Sequence, residues 1–315
     1  MILFFLAPAI AELLSGSAPP VEFFNPVGFI ILTTLYGSGA VLARELTIKW
    51  RRGWASLLTL GAAYGIVEEG LMVKSFFDPN WVDLGLLGSY GRSAGVNWVW
   101  SIQLTIYHSL ISIAIPILLV ELIFPHRRNQ AWIRQNGFII LPIILAVDVA
   151  LGYFFLTAYR PPAIQYALTV AIVAAIIVLA WRLPSQPFAP KSISPQHPFW
   201  FWLTGFLGTI AFFIVFAGLP HTALPPSLTI LTGLGLVALL IWLVMRMSGN
   251  GAAWTDMHRL AVAAGPLSLF ILFSPIQEFD ISRQDNPAGM TVVGLATLIF
   301  LIWLWWRVRR SHSRL

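Results

Sequence analysis

The sequence predicts an all-α, polytopic α-helical membrane protein with about ten transmembrane helices, or nine if the first apolar segment does not span. Three observations carry that class. Hydrophobic residues make up 58% of the 315 and charged residues only 10%, whereas an average soluble domain carries about 25% charged residues. Apolar runs of membrane length recur along the chain, each bounded by Pro, Gly or charge. The period-2 alternation of a membrane β-barrel is absent, and helices are the other way to satisfy every backbone group in lipid. Mean hydropathy is +0.80. The cysteine count is zero, which excludes disulfides, thiolate nucleophiles and Cys-based metal sites.

Taken in order, the apolar runs fall at 1–14, 27–43, 54–77, 98–124, 137–159, 163–181, 199–219, 227–245, 260–277 and 288–306. Most reach the roughly 17 to 25 residues that a span needs. The first is short, holds Pro8 and Glu12, and lacks the basic start of a signal peptide. Alternate connections collect most of the 19 Lys and Arg residues, at Arg44 to Arg52, Arg127 to Arg134, Arg182 and Lys191, Arg246 and Arg259, and Arg307 to Arg314. The positive-inside rule places these connections in the cytoplasm, with both termini, and implies a plasma-membrane protein. The net charge of +6 therefore reads as topology and not as a nucleic-acid footprint. The lipid bilayer is the expected surrounding, nucleic acid is not an expected partner, and no substrate or protein partner is assigned.

The chain divides by chemistry. Residues 1–181 form a membrane half with buried polar residues, 182–198 a Pro/Ser-rich cytoplasmic linker (RLPSQPFAPKSISPQHP), and 199–315 an apolar membrane half. There is no internal repeat and no matched pair of broken helices of the kind that marks many secondary transporters.

Polar side chains gather between Tyr64 and Ser112. Helical rise places Glu68 and Glu69 roughly 9 to 11 Å below the outer end of their span, Gln103 and Thr105 at similar depth, His108 roughly 16 Å down and Asp148 about 18 Å deep. Ionisable groups at such depth are expensive to insert and usually functional. Ser101, Thr105, His108, Ser109 and Ser112 make a polar stripe, and Gly61, Gly65 and Glu69 make a second with the GxxxG spacing that lets helices approach closely. The two stripes are expected to face each other. Pro116 should disturb the helix four residues beyond Ser112. Adjacent carboxylates in a low dielectric do not easily both ionise, so one of Glu68 and Glu69 is expected to keep its proton. The candidate catalytic residues are Glu68, Glu69, His108 and Asp148. The candidate substrate-binding residues are Gln103, Thr105, Tyr107, Trp81 and Arg92, the last two on an outer loop that reads as a lid or a membrane-lying segment. Lys74 is expected to snorkel to the outer interface, and Glu12 and Glu121, near span ends, to be solvated or paired. No metal ligand set is assigned and the cofactor is unknown: HExxH, the Walker loop, GxGxxG and the TVGYG filter are absent, and LYGSGA around Ser38 lacks a GxSxG frame.

The segment EEGLMVK, followed by LTIYH, resembles the CPBP (CAAX-protease and bacteriocin-processing) intramembrane proteases over two spans. That family pairs a Glu-Glu motif ending in Arg with histidines on later helices. The resemblance implies Glu68 or Glu69 as the base and His108 as polariser or ligand. Here the basic residue is Lys74, one place further along, Leu104 stands where the family has Phe, and no later span carries HxxxN. Three functional classes stay open: a hydrolase using paired carboxylates as acid and base, a proton- or cation-coupled transporter or channel, and a non-catalytic scaffold.

Overall fold

Each apolar run of the sequence becomes a helix. The structure, a computed structural model, describes residues 1–194 and 196–312. α1 (Ile2–Leu14) is a shorter apolar helix. α2 (Pro26–Lys49) follows, and α3 (Trp54–Ile66) continues through a π-helical turn, Val67–Met72. α4 (Trp98–Ile123), α5 (Gly137–Leu156), α6 (Ala163–Arg182), α7 (Pro198–His221), α8 (Pro226–Met247) and α9 (Asp256–Glu278) complete the series with α10 (Met290–His312). Among the described residues eight helices are long and apolar enough to cross a membrane. α3 has comparable length but carries Glu68 and Glu69, which depress its hydropathy. The strands described are one two-residue hairpin, Arg92–Ser93 paired with Val96–Asn97, in the loop between α3 and α4.

α4 is the axis of the bundle. Of its apolar window 83% is buried, against 11% for α5 and α8 and 17% for α6 and α7. One apolar cluster joins α4 to α1, α2 and α3 through Leu3, Ala7, Leu35, Leu60, Ile113 and Ile117. A second joins it to α9 and α10 through Ile115, Leu118, Leu122, Leu267, Leu301 and Leu304. Lipid tails remove most of the hydrophobic drive for helix association, so close packing has to hold such a bundle together. Gly61 and Gly65 permit it. A Cβ on Gly61 would stand 2.9 Å from Ser109 Cα, and one on Gly65 2.9 Å from His108 Cβ.

Five helices switch from α to π pitch among the described residues, α5 at Gly152–Leu156, α7 at Ile214–Gly218, and, around the bundle centre, α1, α3 and α4 at Ala9–Leu14, Val67–Met72 and His108–Ala114, taken below as the first, second and third turns. Pro116 accounts for the third. The wider turn resets the ladder so that Pro116 falls in the first turn of the α segment Ile115–Ile123, where a missing N–H does least harm. Pro8 stands on the other side of its π turn, as the last residue of the α segment that precedes Ala9–Leu14.

The ends of the bundle differ in charge, and two side chains there depart from expectation. Arg44 lies within α2 and is 1% exposed, not in a solvated connection. It pairs with Glu45, its Nη atoms donate to the carbonyls of Gln130 (2.8 Å) and Arg128 (2.7 Å), and Glu121 is 3.7 Å from its Nε. Arg128 extends the network to Asp256 at 2.7 Å. Lys74, at the opposite end, does not snorkel. It is fully buried, and its Nζ donates to Tyr153 O (2.7 Å) and Thr157 O (3.3 Å) at the end of α5. Terminal carbonyls of a helix lack partners and carry partial negative charge, so a lysine is drawn to them. The linker after α6 docks at the arginine-rich end, with Lys191 N donating to Gly249 O at 2.9 Å and Gln196 O 2.7 Å from His258 Nε2.

Candidate functional site

His108 stands where the π turns of α1, α3 and α4 meet. A π turn inserts one residue relative to α pitch and turns the following side chains to a new face, which is why such turns recur at functional sites. Glu12 lies in the first turn, Glu68 and Glu69 lie in the second, and His108 opens the third. His108 is held from both edges of its ring. Nδ1 is 3.2 Å from Glu68 Oε2 and 3.0 Å from Ser112 Oγ, and Nε2 is 3.1 Å from Glu69 Oε1.

The hydrogen bonding extends beyond this trio in both directions. Tyr36, on α2, contacts a carboxylate oxygen of Glu68 and one of Glu12. A phenol has one proton to donate, so when both contacts are made one of the two carboxyls supplies a proton of its own. On the other side the Ser75 hydroxyl donates to Glu69, and Trp100 Nε1 donates to Ser75 Oγ at 3.0 Å. A continuous line of polar contacts thus runs Glu12, Tyr36, Glu68, His108, Glu69, Ser75, in which Glu68 Oε2 meets Nδ1 as an ion-pair contact at 3.2 Å while the Nδ1 hydrogen bond goes to Ser112. Tyr64 and Tyr107 wall the imidazole, with ring centroids 6.2 and 5.6 Å away. The Tyr107 hydroxyl ties α4 to α1 through Ala11 O at 3.3 Å.

Access comes from the acidic end. Side-chain exposure rises from 3% at His108 and 7% at Glu68 to 12% at Glu69, and Glu12 is also partly exposed. The loop after α3 approaches there. The packing around Asp83, and then the nearby Glu69 charge, raise the Asp83 carboxyl above its ordinary range although its side chain keeps an exposed face.

Of the residues singled out from sequence, the structure brings Glu68, Glu69 and His108 together. Tyr107 lies against the ring. Gln103 is buried with an unpartnered Oε1, and Thr105 packs beside Gly65. Asp148 stands apart, accepting from Thr34 Oγ1 at 3.0 Å. Trp81 packs in an apolar cluster under the outer loop. Arg92 holds that loop by donating to Gly88 O (3.0 Å) and Phe77 O (2.8 Å). Sequence reasoning passed over Tyr36 and left Glu12 at a span end. The carboxylate in an apolar segment was a signal for Glu12; nothing local distinguishes Tyr36.

Glu68, Glu69 and His108 each present a ligand atom within 4.8 Å of the others, and two carboxylates with an imidazole suit a divalent cation such as zinc. A cation on Nε2 would have Glu69 beside it and Glu68 behind the ring on Nδ1, the position from which a carboxylate orients a ligating histidine.

Residues 1–247 match the sequence model of a family described as an uncharacterized membrane protein family. The chain belongs to that family. The matched stretch runs from α1 to the end of α8, so the whole constellation around His108 lies within the family region. No curated protein and no solved structure matches the chain.

Proposed function

We propose that this family member is an intramembrane hydrolase that uses Glu69 and His108 as an acid–base pair, in a site opening to the extracytoplasmic side of the plasma membrane. The observation that carries the reading is the imidazole gripped at both nitrogens by carboxylates, 3.2 Å to Glu68 and 3.1 Å to Glu69. Glu68 fixes the ring orientation and favours a proton on Nδ1, and the cycle starts from the imidazolium, with Nε2 protonated against Glu69 as well. Glu69, the more exposed carboxylate, takes a proton from water as that water attacks an electrophilic carbon of the substrate. His108 Nε2 then supplies a proton to the leaving atom, and the proton held by Glu69 returns to the ring, so the sum is addition of water across the broken bond. The Tyr36–Glu12 extension connects Glu68 to a partly exposed carboxyl and keeps the proton inventory filled.

The transport reading needs polar groups continuing to the opposite face. Between Tyr36 and the Arg44 network, about 12 Å along α2 by helical rise, the structure places the buried hydroxyl of Ser38 and beyond it the apolar Ala40, Ala43, Ile117 and Val120. That apolar layer favours chemistry at a dead-ended site.

The test is hydrolysis in water enriched in oxygen-18. Purified protein in proteoliposomes, given a host membrane extract, should release products carrying the heavy oxygen, and Glu69→Gln should abolish them while its melting temperature stays within a few degrees of wild type. Heavy-oxygen products from Glu69→Gln at the wild-type rate would refute the assignment. For topology, the arginine-rich end is assigned to the cytoplasm. A single cysteine at position 128 should resist an impermeant reagent applied from outside, and labelling there would reverse the orientation.

A further inference from the structure

At the arginine-rich end a cavity of about 220 Å³ opens between the end of α4 and the end of α10, lined by Ile123, Phe124, Pro125, His126, Arg127 and Arg307. Its floor is apolar and its rim is basic. The two helix ends are tied across it, because Arg307 Nη2 donates to Ile123 O at 2.9 Å. Arg127 has a fixed backbone and an exposed side chain: its carbonyl accepts from Arg44 Nη2 (3.2 Å) and Trp132 Nε1 (2.9 Å). The carboxylates of this neighbourhood are engaged elsewhere, Glu121 beside Arg44 at 3.7 Å and Asp256 with Arg128 at 2.7 Å. The rim therefore presents uncompensated positive charge. Arg307 lies over Trp303, 5.7 Å from the ring centre, and Trp305 and Trp306 follow on α10. Such an aromatic band marks the depth of the lipid headgroups.

We propose that this cavity seats the headgroup of an anionic phospholipid. The phosphate lies between the guanidinium groups of Arg127 and Arg307, whose planar forks match phosphate oxygens, and the glycerol rests on Ile123 and Pro125. The acyl chains run down the exposed faces of Phe124, Ile302 and Trp303. The volume supports a headgroup, being below the roughly 300 to 1,000 Å³ that encloses a whole small molecule. A free phosphate would draw nothing from the apolar floor or from the position at the membrane boundary, which is why the lipid is the assigned occupant.

The experiment is native mass spectrometry of the full chain in neutral detergent, incubated with equal amounts of palmitoyl-oleoyl phosphatidylglycerol and phosphatidylcholine. The wild type should retain the anionic lipid preferentially. Arg127→Gln combined with Arg307→Gln should lower the retained ratio about tenfold or more, from about 1 kcal/mol per interfacial arginine. Arg182→Gln combined with Arg246→Gln removes the same charge from other helix ends and should change it less than about twofold. No preference in the wild type, or equal losses in the two double variants, would overturn the proposal. Because Arg307→Gln also breaks the bond to Ile123, Arg127→Gln is measured alone with its melting temperature. Undiminished retention by that folded single variant would equally overturn it.

Discussion

Residues 1–181 and residues 199–312 have similar hydropathy and bury different things. α4, with a window hydropathy of 2.1, is 83% buried there, whereas α8, at 2.5, is 11% buried. The first region buries Arg44, Glu45, Glu68, Lys74, His108, Glu121 and Asp148; among the described residues of the second, the buried polar residues are Thr229, Ser248, His258 and Ser274. Hydropathy measures the partition of a helix into lipid and does not say which face meets protein. A polar stripe does, because a side chain that lipid cannot satisfy must find a protein partner. Burial does not follow hydropathy: α7, at 2.0, and α10, at 1.8, are 17% and 22% buried, and it is α4, with its polar stripe, that the bundle closes around.

The strongest way to break that contrast is to remove a charge from each region. Arg44→Met would leave Glu45 and Glu121 buried without its guanidinium and the carbonyls of Arg128 and Gln130 without its donors, while Arg127 O would keep Trp132 Nε1. A loss of about 3 to 5 kcal/mol is expected, seen as aggregation or a large fall in melting temperature. Arg246→Met, on an exposed residue of α8, should stay within about 0.5 kcal/mol. Equal losses would mean that the two regions do not differ in the way their burial suggests.

A smaller effect follows from helix spacing. Gly61→Leu would drive a side chain into the backbone of α4, 2.9 Å from Ser109 Cα at the first carbon alone, whereas Gly235 on α8 has nothing within 4 Å. The first should lower stability by about 1 to 3 kcal/mol through overpacking. Gly235→Leu should be neutral or stabilising by up to about 1 kcal/mol, since leucine is the better helix former. Thermal unfolding in detergent checks both, and a destabilising Gly235→Leu would reveal a partner on the α8 face.

The smallest effect is a pH dependence confined to the loop between α9 and α10. Its hydrogen bond from Arg283, and then the charge of that arginine, hold the Asp285 carboxyl below its ordinary range. A depressed carboxyl contributes stability that is present above its unfolded pKa and lost as pH falls through the folded one. Asp285→Asn should therefore cost about 0.5 kcal/mol or less near neutrality, and the difference from wild type should vanish in acid. A variant gap that widens as pH falls would contradict this sign.

The membrane class, the helical runs and the concentration of intramembrane polar residues before the linker were legible without coordinates, because each depends on composition within a single span. The pairing of the Gly61–Gly65 face with the Ser109 face was legible too, since small residues at helical spacing admit a neighbouring backbone. What the tertiary structure decided was the partner of each polar group. A π turn adds one residue, or about 100° of rotation, to every side chain beyond it, so facing counted at α pitch does not carry across Val67–Met72 or His108–Ala114. Glu12 and Tyr36 reach His108's neighbourhood from two other helices, Arg44 finds three carbonyls of a loop more than eighty residues away, and Lys74 caps α5. These are long-range choices. They follow from which unsatisfied groups end up side by side when the helices pack, and no local stretch of sequence contains that information.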